Sequence, residues 1–266
     1  MFRVIKNLFS SNLAEVLIDK FFSPQFLINR GVLQGSKLGP ILFIIFINDL
    51  LETLNSSNLG VKVGDVHIAA LGFADDLVLI TDCPKKAQSL LDICQSWAND
   101  NMMSFNTSKC KVMVLNGPST DTSLKLFNDN LEIVYSYKYL GVTLTAKRIT
   151  NFFKTHFSLM LEKARIRVAT IRRYGFHKDG LRLASAVRLY KLLIRPILGY
   201  CAQTLTYTRY CQQASPEVST GFAKKLEQFQ TRTLKTLINC QRNTPPAVVR
   251  LFCGVELLTY RLEILK

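Results

Sequence analysis

Two adjacent aspartates, Asp75 and Asp76, lie between apolar runs in the segment FADDLVLI, residues 73–80. Successive side chains of a regular strand point to opposite faces, so two neighbouring carboxylates share one site only where the chain turns tightly. Like charges held together repel each other unless a cation neutralises them. Mg²⁺ or Mn²⁺ binds such hard oxygen donors and keeps open positions for phosphate oxygens. The pair therefore indicates metal-assisted phosphoryl or nucleotidyl transfer, and a solvated turn is the alternative.

The segments on either side of the aspartates predict the elements that position them. VKVGDVHIAALG and LVLITD predict a β-hairpin with the aspartates at its tip. Upstream, RGVLQGSKLGPILFIIFINDLLETL predicts a loop and then a helix, with Ser36 as N-cap and Pro40 in the first turn. Because this helix is almost entirely apolar through Ile47, we expect it to be buried on most sides.

The rest of the chain changes character near residue 145. Before that point, residues 1–30 predict a short helix and two short strands around a turn with Pro24, and PKKAQSLLDICQSWANDNM predicts an amphipathic helix. SFNTSKCKVMVLNG and KLFNDNLEIVYSYKYLGVTLT each predict hairpin-like strand pairs. After that point the periodicity is helical, with Lys and Arg on the outer faces. We therefore expect an α+β fold, with a mixed domain over residues 1–145 and an all-α basic domain over residues 146–266.

The net charge of +15 is concentrated in the second half of the chain. Residues 1–139 contain 12 Lys and Arg against 13 Asp and Glu, whereas residues 140–266 contain 22 against 6. A basic excess on one half repels itself without a polyanionic partner, and nucleic acid is the polyanion that best fits it. A basic surface that only aids solubility is the alternative.

Several classes of protein are disfavoured by the sequence. The longest uncharged apolar run, residues 38–48, is shorter than the roughly 20 residues that a membrane-spanning helix needs. The N-terminus shows no signal-peptide cleavage pattern, so we expect an intracellular protein without a membrane partner. The seven cysteines form no C-x-x-C pair and the three histidines are far apart, which argues against a zinc site or a disulfide framework.

Four segments together resemble a known family. RGVLQGSKLGPILFIIFINDL, FADDLVLI, NMMSFNTSKCKVMVL and YKYLGVTL, in this order and spacing, resemble the successive palm motifs of non-LTR (LINE-type) retrotransposon reverse transcriptases. LYKLLIRPILGYCAQTL and LEQFQTRTLKTLI resemble the thumb and the helical region after it. The resemblance implies a partial polymerase palm, with an antiparallel sheet and helices, followed by a basic helical thumb and connection region. Intron-encoded and telomerase-like reverse transcriptases are weaker matches.

The resemblance also implies the reaction and its participants. The expected activity is RNA-directed DNA polymerisation by two-metal nucleotidyl transfer, with Mg²⁺ or Mn²⁺ as cofactor. The expected partners are an RNA template, a DNA primer and dNTP substrates. Phe73, Ala74, Asp75 and Asp76 occupy the family's [FY]-x-D-D turn, with Asp75 preferred as the direct metal ligand and Asp76 as its partner.

Other positions match family motifs less specifically. Gln34 and Gly35 match a Gln-Gly step beside the incoming nucleotide and template, with a plain loop before a helix as the alternative. Lys109 stands where the family has a lysine suited to protonating the departing pyrophosphate, with an exposed hairpin lysine as the alternative. Residues 139–141, YLG, match the hairpin that grips the primer end, and a structural turn is the alternative. Arg30 could meet template or triphosphate, or only water.

A further group of residues is interpreted as structural. Tyr190, Arg195 and Pro196 fit the family's thumb helix, where they pack and shape the helix. Asp49 is interpreted as a polar residue at a helix end, and Trp97 as a core aromatic residue.

One motif of the family has no counterpart in the chain. The family carries another essential aspartate in an AFD-like string well before the Gln-Gly step, but only 33 residues precede Gln34. Neither Glu15 nor Asp19 stands in such a context. We therefore expect an N-terminally truncated chain that binds metal poorly by itself, with the upstream part of the element's polyprotein as a possible partner. A catalytically inactive, nucleic-acid-binding relic is the alternative.

Overall fold

The structure is a computed structural model that describes residues 2–10, 12–28, 31–32, 35–115, 123–146, 153–175, 182–202 and 216–258. The chain forms two compact units. The first unit comprises Met1–Cys110 with Asp121–Leu131, and the second comprises Lys111–Thr120 with Glu132–Lys266. Helices combine with small, mostly antiparallel sheets, which confirms the predicted α+β class. The predicted domain boundary at residues 145 and 146 stays a prediction.

The helices are α1 (Phe2–Phe9), α2 (Gly39–Ser56), α3 (Pro84–Asp100), α4 (Lys154–Gly175), α5 (Leu183–Leu189), a π-helical segment (Tyr190–Ile194), α6 (Arg195–Gly199), α7 (Pro216–Leu237) and α8 (Pro246–Cys253). The strands are β1 (Leu13–Ala14), β2 (Leu17–Ile18), β3 (Phe21–Phe22), β4 (Phe26–Leu27), β5 (Val61–Val63), β6 (Val66–Ile68), β7 (Ala70–Phe73), β8 (Asp76–Leu79), β9 (Lys111–Val112), β10 (Lys125–Leu126), β11 (Asp129–Asn130), β12 (Glu132–Ile133), β13 (Ser136–Tyr139) and β14 (Val142–Thr145).

The core of the first unit forms where α2 meets α3 and the strands of residues 61–79. Helix α2 contributes Ile47, Leu50 and Leu54, which recur at helical spacing and are buried. The strands and α3 complete this core with Ala69, Ala70, Leu90 and Cys94. Burying one stripe of a helix in this way fixes its rotation against the sheet.

The prediction that α2 is buried on most sides is wrong. Ile41, Ile44 and Ile45 expose 55%, 56% and 66% of their surface, because the core covers only the opposite stripe of the helix. The predicted N-cap is also wrong. The helix begins at Gly39 with Leu38 at the cap position, whereas the Ser36 hydroxyl accepts a hydrogen bond from the Leu38 N–H at 3.3 Å in the preceding bend.

Two of the predicted strand pairings are also wrong. Residues 13–27 form four short strands in two antiparallel pairs, β1 with β4 and β2 with β3, and the inner turn contains Asp19 at a φ of 56° rather than Pro24. SFNTSKCKVMVLNG contains no hairpin within its described residues. Its Lys109 and Cys110 N–H groups donate to the Asn106 carbonyl in a turn, and β9 then pairs in parallel with β12.

The core of the second unit is helical. Helices α4 to α8 bury a cluster that includes Phe157, Tyr190, Ile194, Leu226 and Leu234. Helix α5, the π-helical segment and α6 follow one another without a break. Pro196 lacks an N–H to donate to the carbonyl four residues earlier, which accounts for the wider helical turn just before it.

Among the helices that the structure describes, none combines the length and the apolar character needed to cross a lipid bilayer.

Candidate active site at the aspartate hairpin

The two aspartates lie at the tip of the β7–β8 hairpin, as the sequence predicts. Ala70 pairs with Leu79 at the base of the hairpin, and Phe73 pairs with Asp76 at its end. Ala74 and Asp75 therefore form a two-residue loop. Ala74 has a φ of 53°, in the left-handed region, and positive φ at the first loop residue is the pattern of a type II′ turn. The turn places Asp75 in the loop and Asp76 at the first position of β8.

One face of this hairpin packs on the core and the other is open. Leu77 and Leu79 lie against the core, and a Cβ added to Gly72 would lie 2.9 Å from the Leu51 Cδ1 atom of α2. Paired residues of an antiparallel hairpin share a face, so Asp76 lies on the open face with Phe73, which is 63% exposed. The hairpin therefore presents an aromatic ring and a carboxylate to solvent beside the loop carboxylate of Asp75.

Asn55 attaches the hairpin to α2. Its Oδ1 accepts hydrogen bonds from the N–H groups of Ala69 and Ala70 at 2.9 and 3.0 Å. Its Nδ2 donates to the Ala70 carbonyl at 3.2 Å. Asn55 lies in the last turns of α2, one residue beyond the segment that predicts this helix. No local pattern identifies this residue, because its partners lie 14 and 15 residues further along the chain.

The tip of the hairpin carries oxygen donors of the kind that a hard divalent cation binds, and they come from two carboxylates. Asp75 and Asp76 are both exposed, and carboxylate oxygens are the ligands that Mg²⁺ and Mn²⁺ take. Within the described residues, no group of three His, Cys, Asp or Glu side chains could hold a metal ion. Asp75 and Asp76 are thus the carboxylates at the tip of this hairpin that a cation could contact.

Of the predicted site residues of the first unit outside the hairpin, the structure describes Lys109 and Gly35. Lys109 is exposed in the turn before β9, and within the described residues its ammonium forms no ion pair with either aspartate. Gly35 adopts a φ of 83° with no atom within 4 Å of an added Cβ, so its conformation favours glycine and leaves space beside it. Arg30 and Gln34 lie outside the described residues.

Asp49 and Trp97 join two helices. The Trp97 indole N–H donates to Asp49 Oδ1 at 3.0 Å, and the same oxygen accepts from the Leu50 N–H at 2.7 Å. Trp97 packs beside the core as predicted. The prediction for Asp49 is wrong in its position, because this residue lies in the middle of α2 rather than at its end.

In the second unit, the YLG segment forms another tight hairpin. Tyr139 of β13 pairs with Val142 of β14, and the two loop residues Leu140 and Gly141 have φ values of 45° and 79°. Positive φ at both loop residues is the pattern of a type I′ turn. The Tyr200 hydroxyl, just after α6, donates a hydrogen bond to the Leu140 carbonyl.

Helix α4 contacts strand β14 of this hairpin. The Thr143 N–H donates to His156 Nδ1 at 3.2 Å, and the Thr145 and Thr155 hydroxyls lie 3.2 Å apart. His156 is buried, and its Nε2 has no hydrogen-bond partner within the described residues. Burial and then the nearby Lys163 charge lower the pKa of His156. The sequence gives no signal for this role, because a single histidine has no motif.

Tyr190 is a packing residue, as the sequence predicts. It is fully buried and its hydroxyl donates to Gln230 Oε1 at 2.6 Å. Gln230 Nε2 then donates to the Glu256 carbonyl at 2.7 Å. Arg195 and Pro196 begin α6 directly after the π-helical segment. This polar chain ties the helix that carries Tyr200 to α7 and to the segment after α8.

Comparisons with known proteins agree with the motifs. The model of the family described as "Reverse transcriptase (RNA-dependent DNA polymerase)" matches residues 3–144, more than half of the chain. The RNA-directed DNA polymerase from mobile element jockey of Drosophila funebris is 30% identical over 210 residues, 76% of this chain and 22% of that protein. A retrovirus-related Pol polyprotein from the type-1 retrotransposable element R2 of Popillia japonica is 29% identical over 230 residues, 82% of this chain and 34% of that protein.

A third relative extends the same pattern. The retrovirus-related Pol polyprotein from the type-2 retrotransposable element R2DM of Drosophila melanogaster is 33% identical over 138 residues, 48% of this chain and 13% of that protein. The chain thus spans about a fifth of the length of the jockey protein and about a third or less of the two Pol polyproteins. The chain belongs to the reverse transcriptase (RNA-dependent DNA polymerase) family, and its relatives are polymerases of non-LTR retrotransposons.

Proposed function

We propose that the chain acts in RNA-directed DNA polymerisation, as the part of a reverse transcriptase that carries the paired aspartates. The observation that supports this most strongly is the β7–β8 hairpin, which presents Asp75 and Asp76 at an exposed two-residue turn. In this proposal residues 1–145 supply a partial palm, and residues 146–266 supply a basic thumb and connection region.

In the proposed site, Asp75 is the direct metal ligand and Asp76 is its partner on the open face. Mg²⁺ or Mn²⁺ bound there would activate the primer 3′-hydroxyl and neutralise the charge that develops on the phosphates. Phe73 and Ala74 shape the turn, since Phe73 closes the hairpin against Asp76 and Ala74 takes the left-handed conformation. A short hairpin fixed to α2 holds its carboxylates more precisely than a free loop would.

The remaining assignments follow the family motifs. Gln34 and Gly35 approach the incoming dNTP and the template, since glycine admits another backbone and glutamine both donates and accepts hydrogen bonds. Arg30 contacts template or triphosphate. Lys109, an exposed ammonium, donates a proton from Nζ to the departing pyrophosphate.

The second unit supplies contacts to nucleic acid in this proposal. Its YLG turn, residues 139–141, contacts the primer end, and its basic surface binds the phosphates of the RNA template and DNA primer. Residues 140–266 carry 22 Lys and Arg against 6 Asp and Glu, which supports a polyanionic partner. The other part of the element's polyprotein is a further proposed partner, because the relatives are several times longer than this chain. The proposed setting is intracellular.

Primer extension on an RNA template tests the polymerase proposal. Because the chain alone is expected to bind metal poorly, it is joined to the upstream part of the element's polyprotein and compared with the same protein carrying Asp75→Ala or Asp65→Ala. Asp65 is an exposed aspartate in the neighbouring β5–β6 turn. We expect extension by the wild type and by Asp65→Ala, and a loss of at least about 100-fold in Asp75→Ala, since charge-stabilising groups at an active site contribute on that scale. Equal extension by Asp75→Ala and wild type would remove Asp75 from the mechanism.

A second candidate function is nucleic-acid binding without catalysis. The observation that favours it is that the described residues contain no three-member cluster of metal-binding side chains. This function predicts binding of RNA–DNA duplex that weakens steeply with salt and does not respond to Mg²⁺ removal. Metal-dependent extension by the chain would exclude it, and binding that barely changes with salt would count against it as well.

A further inference from the structure

The tip of the YLG hairpin is held by one side chain from a distant part of the second unit. Tyr200 lies 60 residues beyond Leu140, directly after α6, and donates its hydroxyl to the Leu140 carbonyl. The ring lies against the next residue of the turn, because a Cβ added to Gly141 would be 3.3 Å from both Cε1 and the hydroxyl oxygen of Tyr200. Tyr200 thus contacts both loop residues of the turn.

The contact is made possible by the conformation of the turn. Leu140 and Gly141 both have positive φ, which turns the Leu140 carbonyl toward the Tyr200 hydroxyl and leaves the Gly141 Cα bare for the ring. A side chain at residue 141 would be strained in this conformation and would also meet the ring. Two constraints therefore favour glycine at residue 141: the positive φ of the turn and the ring of Tyr200 beside its Cα.

The support behind Tyr200 is rigid. Tyr190, one helical segment earlier, is fully buried and bonded to Gln230, which is itself bonded to the Glu256 carbonyl. His156 and Thr155 of α4 hold β14. The hairpin is therefore held along β14 by α4 and at its tip by Tyr200, within a single compact unit.

We propose that Tyr200 is a positioning residue for the primer end, because it holds the Leu140–Gly141 turn in the orientation in which that turn contacts the primer 3′ terminus. This inference rests on the role proposed above for the YLG hairpin. Tyr200 acts through the turn and needs no contact of its own with the nucleic acid. Its hydroxyl acts through the hydrogen bond that it donates to the Leu140 carbonyl.

Binding of two duplexes tests the inference without any need for catalysis. One RNA–DNA duplex has a recessed DNA 3′ end on an RNA template, and the other has the same paired sequence with blunt ends. Fluorescence anisotropy without dNTP gives the affinity of the full chain for each. The variants are Tyr200→Phe, which removes only the hydroxyl, and Tyr135→Phe, a control that removes the hydroxyl of a 72% exposed tyrosine beside β13.

We expect the wild type and Tyr135→Phe to bind the recessed end more tightly than the blunt end by about three- to tenfold, the range of one hydrogen-bonded contact. Tyr200→Phe should lose this preference while keeping its affinity for the blunt duplex, since the contacts to phosphates are unchanged. A merely structural role would lower both affinities together. If thermal unfolding shows that Tyr200→Phe does not fold, Tyr200→Leu is the second variant, because it also removes the hydroxyl and leaves the residues of the turn unchanged.

The outcomes separate this inference from the polymerase proposal. If Tyr200→Phe still binds the recessed end more tightly than the blunt end, the inference alone is overturned. The same holds if the wild type extends primers but binds both ends equally. If the chain joined to the upstream part of the polyprotein fails to extend primers while the end preference still depends on Tyr200, the polymerase proposal alone is overturned. The Asp75→Ala variant should lose extension and keep the end preference.

Discussion

Asn55 and Ala70 are joined by a two-way hydrogen bond between a helix side chain and a strand backbone. The Asn55 amide accepts from the Ala70 N–H at 3.0 Å and donates to the Ala70 carbonyl at 3.2 Å. Ala70 is the first residue of β7, so this pair fixes the strand that leads to the aspartates. The same amide also accepts from the buried Ala69 N–H, and one side chain thereby satisfies three backbone groups beside the core.

The first prediction concerns this attachment. Asn55→Ala leaves the N–H groups of Ala69 and Ala70 without a partner, and we expect it to lower the free energy of unfolding of the first unit by about 2 kcal/mol. Asn55→Asp is the comparison variant, because it keeps an acceptor for both N–H groups and replaces the Nδ2 donor with a charged oxygen. Denaturation followed by fluorescence of Trp97, the single tryptophan of the chain, measures the change. Equal stability of Asn55→Ala and wild type would contradict the role of this side chain.

Gly60 and Gly221 are expected to respond to alanine in opposite ways. A Cβ at Gly60 would lie 2.3 Å from the Ile68 carbonyl oxygen, a backbone atom that cannot move aside easily, so Gly60→Ala should destabilise the first unit by about 1–3 kcal/mol. Gly221 lies in α7 with open space around it, and Gly221→Ala should stabilise the second unit by about 0.5–1 kcal/mol. Trp97 fluorescence reports the first change and far-ultraviolet circular dichroism the second. If Gly60→Ala instead stabilised the first unit, this prediction would be wrong, and β6, which contains Ile68, would have to move away from the added methyl group.

The stability of the second unit should depend on pH through His156. Burial and the Lys163 charge lower the pKa of this histidine below its usual value of 6.5, so the folded chain keeps it neutral where the unfolded chain protonates it. The stability that it contributes is therefore complete above pH 6.5 and is lost as the pH falls below 6.5 through the folded-state pKa. Protonation of Nδ1 also removes the acceptor for the Thr143 N–H.

Thermal unfolding between pH 5 and 8 measures this dependence. We expect the melting temperature of the wild type to decrease below pH 6.5 and the decrease to be smaller in His156→Gln, which retains an acceptor for Thr143 without titrating. His67→Gln is the control, because His67 belongs to the first unit and His156 to the second. The same pH dependence in wild type and His156→Gln would assign the effect to other groups.

Two cysteines should differ strongly in their reactivity. Cys83 lies at the start of α3, where the N–H groups of Lys86 and Lys85 lower the pKa of its thiol. Cys94 is buried in the core, and burial raises the pKa of its thiol to about 12. Because the thiolate is the reactive form, Cys83 should react with iodoacetamide at pH 7 much faster than Cys94. Mass spectrometry of the alkylated peptides measures both rates, and faster labelling of Cys94 would mean that the first unit opens readily.

The site elements that depend on local sequence were predictable. Alternating apolar residues around Asp75 and Asp76 predict a hairpin with the pair at its tip, and the Leu90, Cys94 and Trp97 spacing predicts the amphipathic α3. The YLG segment likewise forms a hairpin at the predicted place. In each case the signal is a period of two or of 3.6 residues, or a turn residue, and all of these lie within about one element.

Sequence alone thus determined the family, the α+β class, the basic second half and the position of the paired aspartates. Motifs and composition depend only on the types of the residues and their order along the chain, so no structure is needed to find them. Tertiary structure alone decided which stripe of α2 is buried, and it brought Asn55 to Ala70, His156 to Thr143 and Tyr200 to Leu140. Those contacts join residues 13 to 60 positions apart. A hydrogen bond between residues so far apart in the sequence produces no periodic pattern of residue types. It forms only when the packing of the helices has set the direction of each side chain.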